Sequence, residues 1–155
     1  MEYRGYDSAG VALNQDNEVF RLRSVGKVSS LEELMINNKP KAKSGIAHTR
    51  WATHGAPSEE NAHPHGSHDE IFIVHNGIIE NHDEIRDKLK GEGYDITSET
   101  DSELIAHLIY LNKTDSSSTL EALIKATKEL KGAFSIAAIS SKEKGKIYAA
   151  KQKSP

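Results

Sequence analysis

One stretch of the sequence, residues 45–77, concentrates the side chains that could do chemistry. It holds six of the eight histidines, the only tryptophan and an arginine beside it: His48, Arg50, Trp51, His54, His63, His65, His68 and His75. Two short apolar runs bound a polar loop that contains Pro57 and Pro64. Long loops with no periodicity of their own are uncommon and tend to be functional, so this loop is the first candidate for a site.

Arg50 and Asp101 could recognise the two ends of an amino acid. The guanidinium of Arg50 can bind a carboxylate through two parallel hydrogen bonds while Trp51 packs on the alkyl part of the ligand. Thr53 and His54 follow closely and could add a hydroxyl and an imidazole. Asp101 could hold the ammonium. Each charged residue also has a structural explanation, Arg50 as a surface arginine stacked on Trp51 and Asp101 as a helix N-cap.

The pair Asn76-Gly77 stands between two apolar runs. This dipeptide predicts a two-residue hairpin turn. It could also direct the side-chain amide of Asn76 and the backbone N–H of Gly77 at an oxygen that gains negative charge during a reaction. The two interpretations agree if the turn lies at the mouth of the site.

Two hydrolase alternatives rest on weaker patterns. The histidines of the loop could bind zinc together with Asp69 or Glu70, although their spacing matches no standard zinc signature: His54, His63, His65 and His68. A Ser-His-Asp hydrolase lacks support because the sequence has no GxSxG motif. We therefore predict no metal and no other cofactor.

Composition limits the remaining classes. The 155 residues fit one domain, and the net charge of -3 without a basic cluster argues against nucleic acid. No apolar run approaches the roughly 20 residues of a membrane helix, and the start of the chain is polar, so we expect a cytoplasmic protein. The absence of cysteine excludes disulfides, thiolate metal sites and a cysteine nucleophile within this chain.

Hydrophobic periodicity predicts an α+β domain with mostly antiparallel strands. Ser29 or Ser30 is expected to cap the first helix, and three later helices are expected to begin at Asn81, at Thr100 or Asp101, and at the capping box of Ser118. The predicted strands are 9–13, 19–23, 44–48, 71–79 around the Asn-Gly turn, 134–139 and 147–150.

Five motifs in this order resemble the class II glutamine amidotransferase domains of the glucosamine-6-phosphate synthase family: EYRGYDSAGVAL, SGIAHTRWATHG, NAHPH, VHNGIIEN and SETDSELIAHL. The resemblance covers nearly the whole chain. It implies the N-terminal nucleophile hydrolase fold, in which two antiparallel sheets lie between helical layers (αββα). It also implies hydrolysis of L-glutamine to glutamate and ammonia, with the ammonia passed to fructose 6-phosphate in a separate isomerase domain.

The resemblance assigns roles residue by residue. Arg50 would bind the glutamine carboxylate with help from Thr53 and His54, and Asp101 would bind the α-ammonium. Asn76 and Gly77 would form the oxyanion hole, where each donor is worth ~3 kcal/mol of barrier. Three further residues complete the expected site: Trp51 toward the ammonia channel, His63 near the glutamine, and Arg4 supporting the nucleophile.

The sequence departs from the family in one decisive respect. The family begins with a cysteine nucleophile on a first strand, and this chain contains no cysteine and no counterpart of that strand. We therefore expect residues 1–155 to be an amidotransferase domain shortened at both ends, unable to hydrolyse glutamine by itself. Exposed sheet edges would favour self-association. A non-catalytic module that senses glutamine or glutamate is the alternative.

Overall fold

A computed structural model describes residues 6–16, 18–51 and 55–153. Its elements run, in chain order, as two strands, a helix, three strands, three helices and two strands. The strands are β1 Ser8–Gln15, β2 Glu18–Val25, β3 Ser44–Arg50, β4 His65–Ser67, β5 Ile71–Ile79, β6 Gly132–Ser140 and β7 Tyr148–Gln152. The helices are α1 Val28–Asn38, α2 His82–Gly91, α3 Asp101–Leu111 and α4 Thr119–Glu129.

The strands form two antiparallel sheets. One has the order β2-β1-β3 and the other the order β4-β5-β6-β7. Alternating side chains of β1 and β3 meet those of β5 and β6 in an apolar layer between the sheets: Ala12, Ile46, Phe72 and Ile139, with Val19, Val74 and Ala137 at its margin. Since strand side chains alternate between faces, each sheet keeps a second apolar face that a helix must cover.

Helices cover both outer faces. On the smaller sheet, Leu31 of α1 packs with Ala9 and Val11 of β1. On the larger sheet, the three later helices build the main core, and in α3 every residue from Ser102 to Ile109 is buried. The order of layers is helix, sheet, sheet, helix. The predicted α+β class and αββα sandwich are confirmed.

The Asn-Gly turn prediction is wrong. Asn76 and Gly77 lie inside β5, which stays paired with β6 from Ile71 opposite Ser140 to Ile79 opposite Gly132. Gly77 has φ +135°, and a Cβ on it would lie 2.1 Å from the carbonyl oxygen of Ala133. Here the glycine allows a close approach between strands instead of a reversal of the chain.

Helix starts were predicted with mixed success. Thr100 caps α3 by accepting a hydrogen bond from the Glu103 N–H, and the capping box of Ser118 with Glu121 opens α4, as expected. α1 begins instead after Lys27 without a side-chain cap, so the Ser29 or Ser30 cap is wrong. No helix within the described ranges is long and apolar enough to cross a bilayer.

Asn81 precedes α2 but its side chain does not cap that helix. The side-chain amide donates to the carbonyl of Glu129 at 3.0 Å and accepts from the N–H of Lys131 at 2.8 Å. It therefore fastens the start of α2 to the end of α4 and the entry to β6. The Asn81 side chain, which local sequence predicts to be a helix cap, hydrogen-bonds distant backbone groups instead.

Candidate functional site

A cavity of about 690 Å³ opens where β3, β5 and the start of α3 converge. Six residues singled out from the sequence line it together: Arg50, Trp51, His63, Asn76, Gly77 and Asp101. Arg4, Thr53 and His54 lie outside the described residues. The convergence depends on the sheet order, because β3 and β5 belong to different sheets whose inner faces meet.

Arg50 closes one side of the cavity from the last position of β3. It is only 5% exposed, and its Nη2 donates to the Gly55 carbonyl at 3.2 Å. Its Nη1 lies 3.6 Å from the carboxylate of Asp7. Asp7 thus orients a guanidinium that still lines the cavity, which is the arrangement needed to bind a carboxylate with a fixed fork. Sequence reasoning gave Asp7 no role.

Asp101 stands opposite, at the first residue of α3. Its Oδ2 accepts from the Ile79 N–H at 2.8 Å and its Oδ1 accepts from the Ser102 hydroxyl at 3.3 Å. Ser102 in turn lies 2.9 Å from Nδ1 of His75, so a relay from imidazole to hydroxyl to carboxylate fixes the side chain. Nδ1 of His75 lies 3.8 Å from the same carboxylate, but burial lowers the pKa of His75 and favours the neutral ring, so a cationic group in the cavity would complete the pairing of Asp101.

Trp51 and the pair Asn76-Gly77 form the rim of the cavity. The indole is 62% exposed, a large apolar surface next to the buried Arg50. Asn76 and Gly77 are exposed on β5, so their donors can reach a ligand. Oδ1 of Asn76 lies 2.9 Å from Nε2 of His48, a contact that the sequence did not suggest.

The side chains of His48, His63 and His75 line the cavity, and His65 lies behind them against His63. The ring of His63 lies 4.3 Å from that of His48 and 4.7 Å from that of His65, measured between centroids. Burial, reinforced by the neighbouring histidines, holds the pKa of His63 well below its usual range. Burial also lowers the pKa of His65 to about 3. Near neutral pH these rings are uncharged, so this part of the cavity is polar without adding positive charge.

Two further residues tie the loop after β3 to the loop before α3. Glu99 accepts from the Ala56 N–H at 3.2 Å and from the Asn61 amide at 3.1 Å, while the Glu99 N–H donates back to Asn61 at 2.9 Å. Asn61 is 3% exposed. The two loops that adjoin Arg50 and Asp101 are therefore joined. The partners are 38 residues apart, so no local sequence signal could reveal them.

The zinc alternative gains no support from the geometry. Across residues 6–16, 18–51 and 55–153, no three histidine, aspartate or glutamate side chains converge as a metal site would require. His68, one of the proposed ligands, stacks instead on Tyr110 with ring centroids 4.1 Å apart.

Solved structures of other proteins share this architecture. A glutamine phosphoribosylpyrophosphate amidotransferase from B. subtilis superposes with TM-score 0.74 at 22% identity, covering 90% of this chain and 30% of that one. The "allosteric regulatory enzyme of purine biosynthesis" gives TM-score 0.75 at 23% identity with the same coverage. At such identities the likeness concerns the fold alone.

Sequence comparison identifies the family of the chain. Residues 48–154 match the family described as glutamine amidotransferase domain, and the chain belongs to that family. It is 52% identical to the glutamine–fructose-6-phosphate aminotransferase [isomerizing] of Pseudomonas putida and 50% identical to that of Aquifex aeolicus, over its whole length. The chain spans 26% of the length of each of these relatives.

Proposed function

We propose that the cavity binds L-glutamine, or its product L-glutamate, by the two charged ends of the amino acid. The observation that carries this is the placement of Arg50 and Asp101, which are 51 positions apart in sequence, on one cavity of about 690 Å³. Arg50 takes the α-carboxylate and Asp101 takes the α-ammonium. Trp51 and His63 flank the side chain of the ligand, and Thr53, His54 and Arg4 keep the supporting roles predicted from the sequence.

The side-chain carbonyl of the ligand then meets Asn76 and Gly77. An amide N–H and a backbone N–H at this position stabilise the negative charge that develops on the carbonyl oxygen when a nucleophile adds to it. The attacking group is a thiol in the resemblance described above, and residues 1–155 contain no cysteine. This chain therefore supplies binding and oxyanion stabilisation, and by itself it binds glutamine without releasing ammonia.

The role in the whole protein follows from the relatives. Enzymes named glutamine–fructose-6-phosphate aminotransferase [isomerizing] contain this region as about a quarter of their length. We assign this chain to the glutamine-hydrolysing part of such an enzyme, with fructose 6-phosphate bound outside these residues. Release of ammonia from glutamine by the purified 155-residue chain, above a boiled control, would contradict the proposal that this chain binds glutamine without hydrolysing it.

Calorimetric titration of the chain with L-glutamine, L-glutamate and L-glutaminamide tests the proposal. Glutaminamide keeps the ammonium and the side chain but lacks the carboxylate. Arg50→Lys removes the two-pronged geometry while keeping the charge, and it should weaken glutamine binding roughly 10- to 100-fold because charge-assisted hydrogen bonds contribute about 1.5–3 kcal/mol. The variant should barely affect glutaminamide, which has no carboxylate for Arg50 to hold.

Arg21→Lys is the matched control. Arg21 is an exposed arginine that donates to the Pro64 carbonyl and lies over the Phe72 ring, and it does not line the cavity. It should leave both affinities unchanged. Equal losses for glutamine and glutaminamide in Arg50→Lys, or equal losses in both variants, would show that Arg50 does not hold the carboxylate.

A further inference from the structure

We propose that His48 is a positioning residue that determines which end of the Asn76 amide faces the ligand. The inference deepens the proposed function and rests on it. His48 lies on β3 and Asn76 on β5, so the contact bridges the two sheets at the cavity. The distance from Nε2 of His48 to Oδ1 of Asn76 is 2.9 Å, within the range of a hydrogen bond.

The orientation of the amide decides what Asn76 can do. An asparagine amide has a donor end and an acceptor end of nearly the same size, and a half-turn exchanges them. Only the Nδ2 end can stabilise an oxygen that gains negative charge. With the Oδ1 end toward the ligand, the same residue would repel that oxygen. Asn76 is exposed, so packing alone does not select between the two orientations.

The protonation state of His48 selects the orientation of the Asn76 amide. Burial lowers the pKa of His48 against the opposing effect of the Asn76 hydrogen bond, and nearby Arg50 lowers it further. The ring is therefore neutral near pH 7 and carries one proton. Nδ1 is buried and has no hydrogen-bond partner among the described residues. Since an unpaired buried N–H is costlier than an unused lone pair, the proton belongs on Nε2, where it is donated to Oδ1.

The surroundings keep the ring in place. The His48 ring packs against the ring of His63 at 4.3 Å between centroids. The backbone of His48 pairs with Gly10 of β1. The carbonyl oxygen of His63 lies 2.1 Å from the position that a Cβ on Gly10 would occupy. The loop that carries His63 is thus pressed against β1 beside His48. A fixed donor on β3 then turns Nδ2 of Asn76 toward the cavity.

A ligand pair isolates this effect. L-Glutamine presents a side-chain carbonyl to Asn76, whereas L-norvaline has the same carbon chain and both charged ends but no amide. His48→Phe keeps an aromatic ring and removes the donor, so it should reduce the preference for glutamine over norvaline about tenfold while norvaline affinity stays the same. His48→Gln, whose amide nitrogen can replace Nε2, should retain most of the preference.

Nitrogen-15 NMR of the chain without ligand provides an independent readout. The histidine spectrum should show His48 as the Nε2–H tautomer, with the Asn76 side-chain amide shifting in His48→Phe and much less in His48→Gln. An Nδ1–H tautomer, or a preference for glutamine that survives in His48→Phe, would overturn the inference. If the unaltered chain binds neither amino acid, the proposed function fails, and the tautomer then decides whether His48 anchors Asn76.

Discussion

Asp101 has a structural role that the contacts show, and we propose that the same carboxylate also binds the ligand. It accepts from the N–H of Ile79, which joins the start of α3 to the end of β5, and it still lines the cavity. At the first residue of a helix a negative charge also interacts favourably with the helix dipole. A helix N-terminus alone would explain an acidic residue here. The cavity, together with a neighbouring His75 that burial keeps neutral, explains why a ligand ammonium fits.

Asp101→Asn should separate these two roles. Asparagine keeps an oxygen for the Ile79 N–H but loses the charge, so glutamine affinity should fall roughly 10- to 100-fold while stability falls by less than about 1 kcal/mol. Titration with glutamine and with 4-carbamoylbutanoate, which lacks the α-ammonium, measures the effect. Binding of 4-carbamoylbutanoate should not weaken.

Asp83→Asn serves as the control for that change. Asp83 lies in the first turn of α2, outside the cavity, and its side chain is 87% exposed. It should lose a similar fraction of a kcal/mol in stability and none of the affinity. A parallel loss of affinity for 4-carbamoylbutanoate in Asp101→Asn would indicate that the substitution disturbs the cavity as a whole.

Strand β5 carries both core residues and the two proposed oxyanion donors. Ile71 and Ile73 face the helices, and the exposed pair Asn76-Gly77 lies further along the same strand, before its last two residues. The donors are therefore held by a full ladder of pairing to β6 and not by a mobile turn. Groups on regular strands are positioned more exactly than groups on loops, which suits a site that must stabilise charge.

Gly77→Ala tests the close approach of β5 and β6. The added Cβ would meet the Ala133 carbonyl at 2.1 Å, and alanine disfavours φ +135°, so unfolding free energy should fall by at least ~2 kcal/mol. Urea denaturation followed by circular dichroism measures it. Gly91→Ala at the end of α2, with open space around its Cβ, should instead raise stability by roughly 0.5–1 kcal/mol. Equal effects would refute the steric argument.

Across the whole molecule, buried groups with shifted pKa values make the fold sensitive to acid. The pKa of His65 falls to about 3 in the folded chain, chiefly through burial, whereas an exposed histidine titrates near 6.5. Burial raises the pKa of Glu103, but the His107 imidazole 3.6 Å away and hydrogen bonds from Ser98 and Thr97 outweigh it and hold that pKa below its usual range. Both groups disfavour the protonated folded state.

The sign of the resulting pH dependence is fixed. Between pH 6.5 and 3 the unfolded chain binds a proton at residue 65 and the folded chain does not, so stability falls as pH falls through this range, by at most ~1.4 kcal/mol per unit for His65. Glu103 adds to the loss below pH 4.5. Urea midpoints measured from pH 7.5 to 4 should show this loss of stability, and His65→Gln should make the midpoint depend less steeply on pH. The exposed His82→Gln controls for losing a histidine.

Strand β3 also bears on how the molecule associates. Within the described residues it pairs with β1 on one side only, and its single charged residue is Arg50 at the end. Uncharged outer strands favour edge-to-edge pairing, so sedimentation velocity should show oligomers that increase with concentration. Ala47→Lys, at an exposed position of β3, should suppress them. Ile36→Lys, which removes an exposed apolar side chain from α1, should not.

Local sequence predicted the features that depend on neighbouring residues. The capping box at Ser118 and the cap at Thr100 are satisfied within three residues of the chain, and both are present. The first and last hairpins also lie where alternation placed them, and each of their strands is one to three residues longer than predicted. Strand ends extend because pairing with a neighbour continues beyond the apolar pattern.

Predictions failed where a distant partner competes with a local preference. Asn76-Gly77 has the composition of a turn, but pairing along β6 keeps the chain extended through it. Asn81 is a residue type that favours helix caps, but its side-chain amide hydrogen-bonds the backbone of Glu129 and Lys131 instead. In both cases the competing contact comes from residues about 50 or more positions away.

The sequence by itself determined the chemical inventory: an arginine and an aspartate for the ends of an amino acid, an Asn-Gly pair for an oxyanion, and no cysteine. Its periodicity also predicted an α+β domain with mostly antiparallel strands, whereas the order of the layers followed from the resemblance to the amidotransferase family. The tertiary structure alone decided that these groups share one cavity, that Asp7 orients Arg50 and that His48 contacts Asn76. Those contacts join strands of different sheets, and their geometry depends on packing between sheets, which no local pattern encodes.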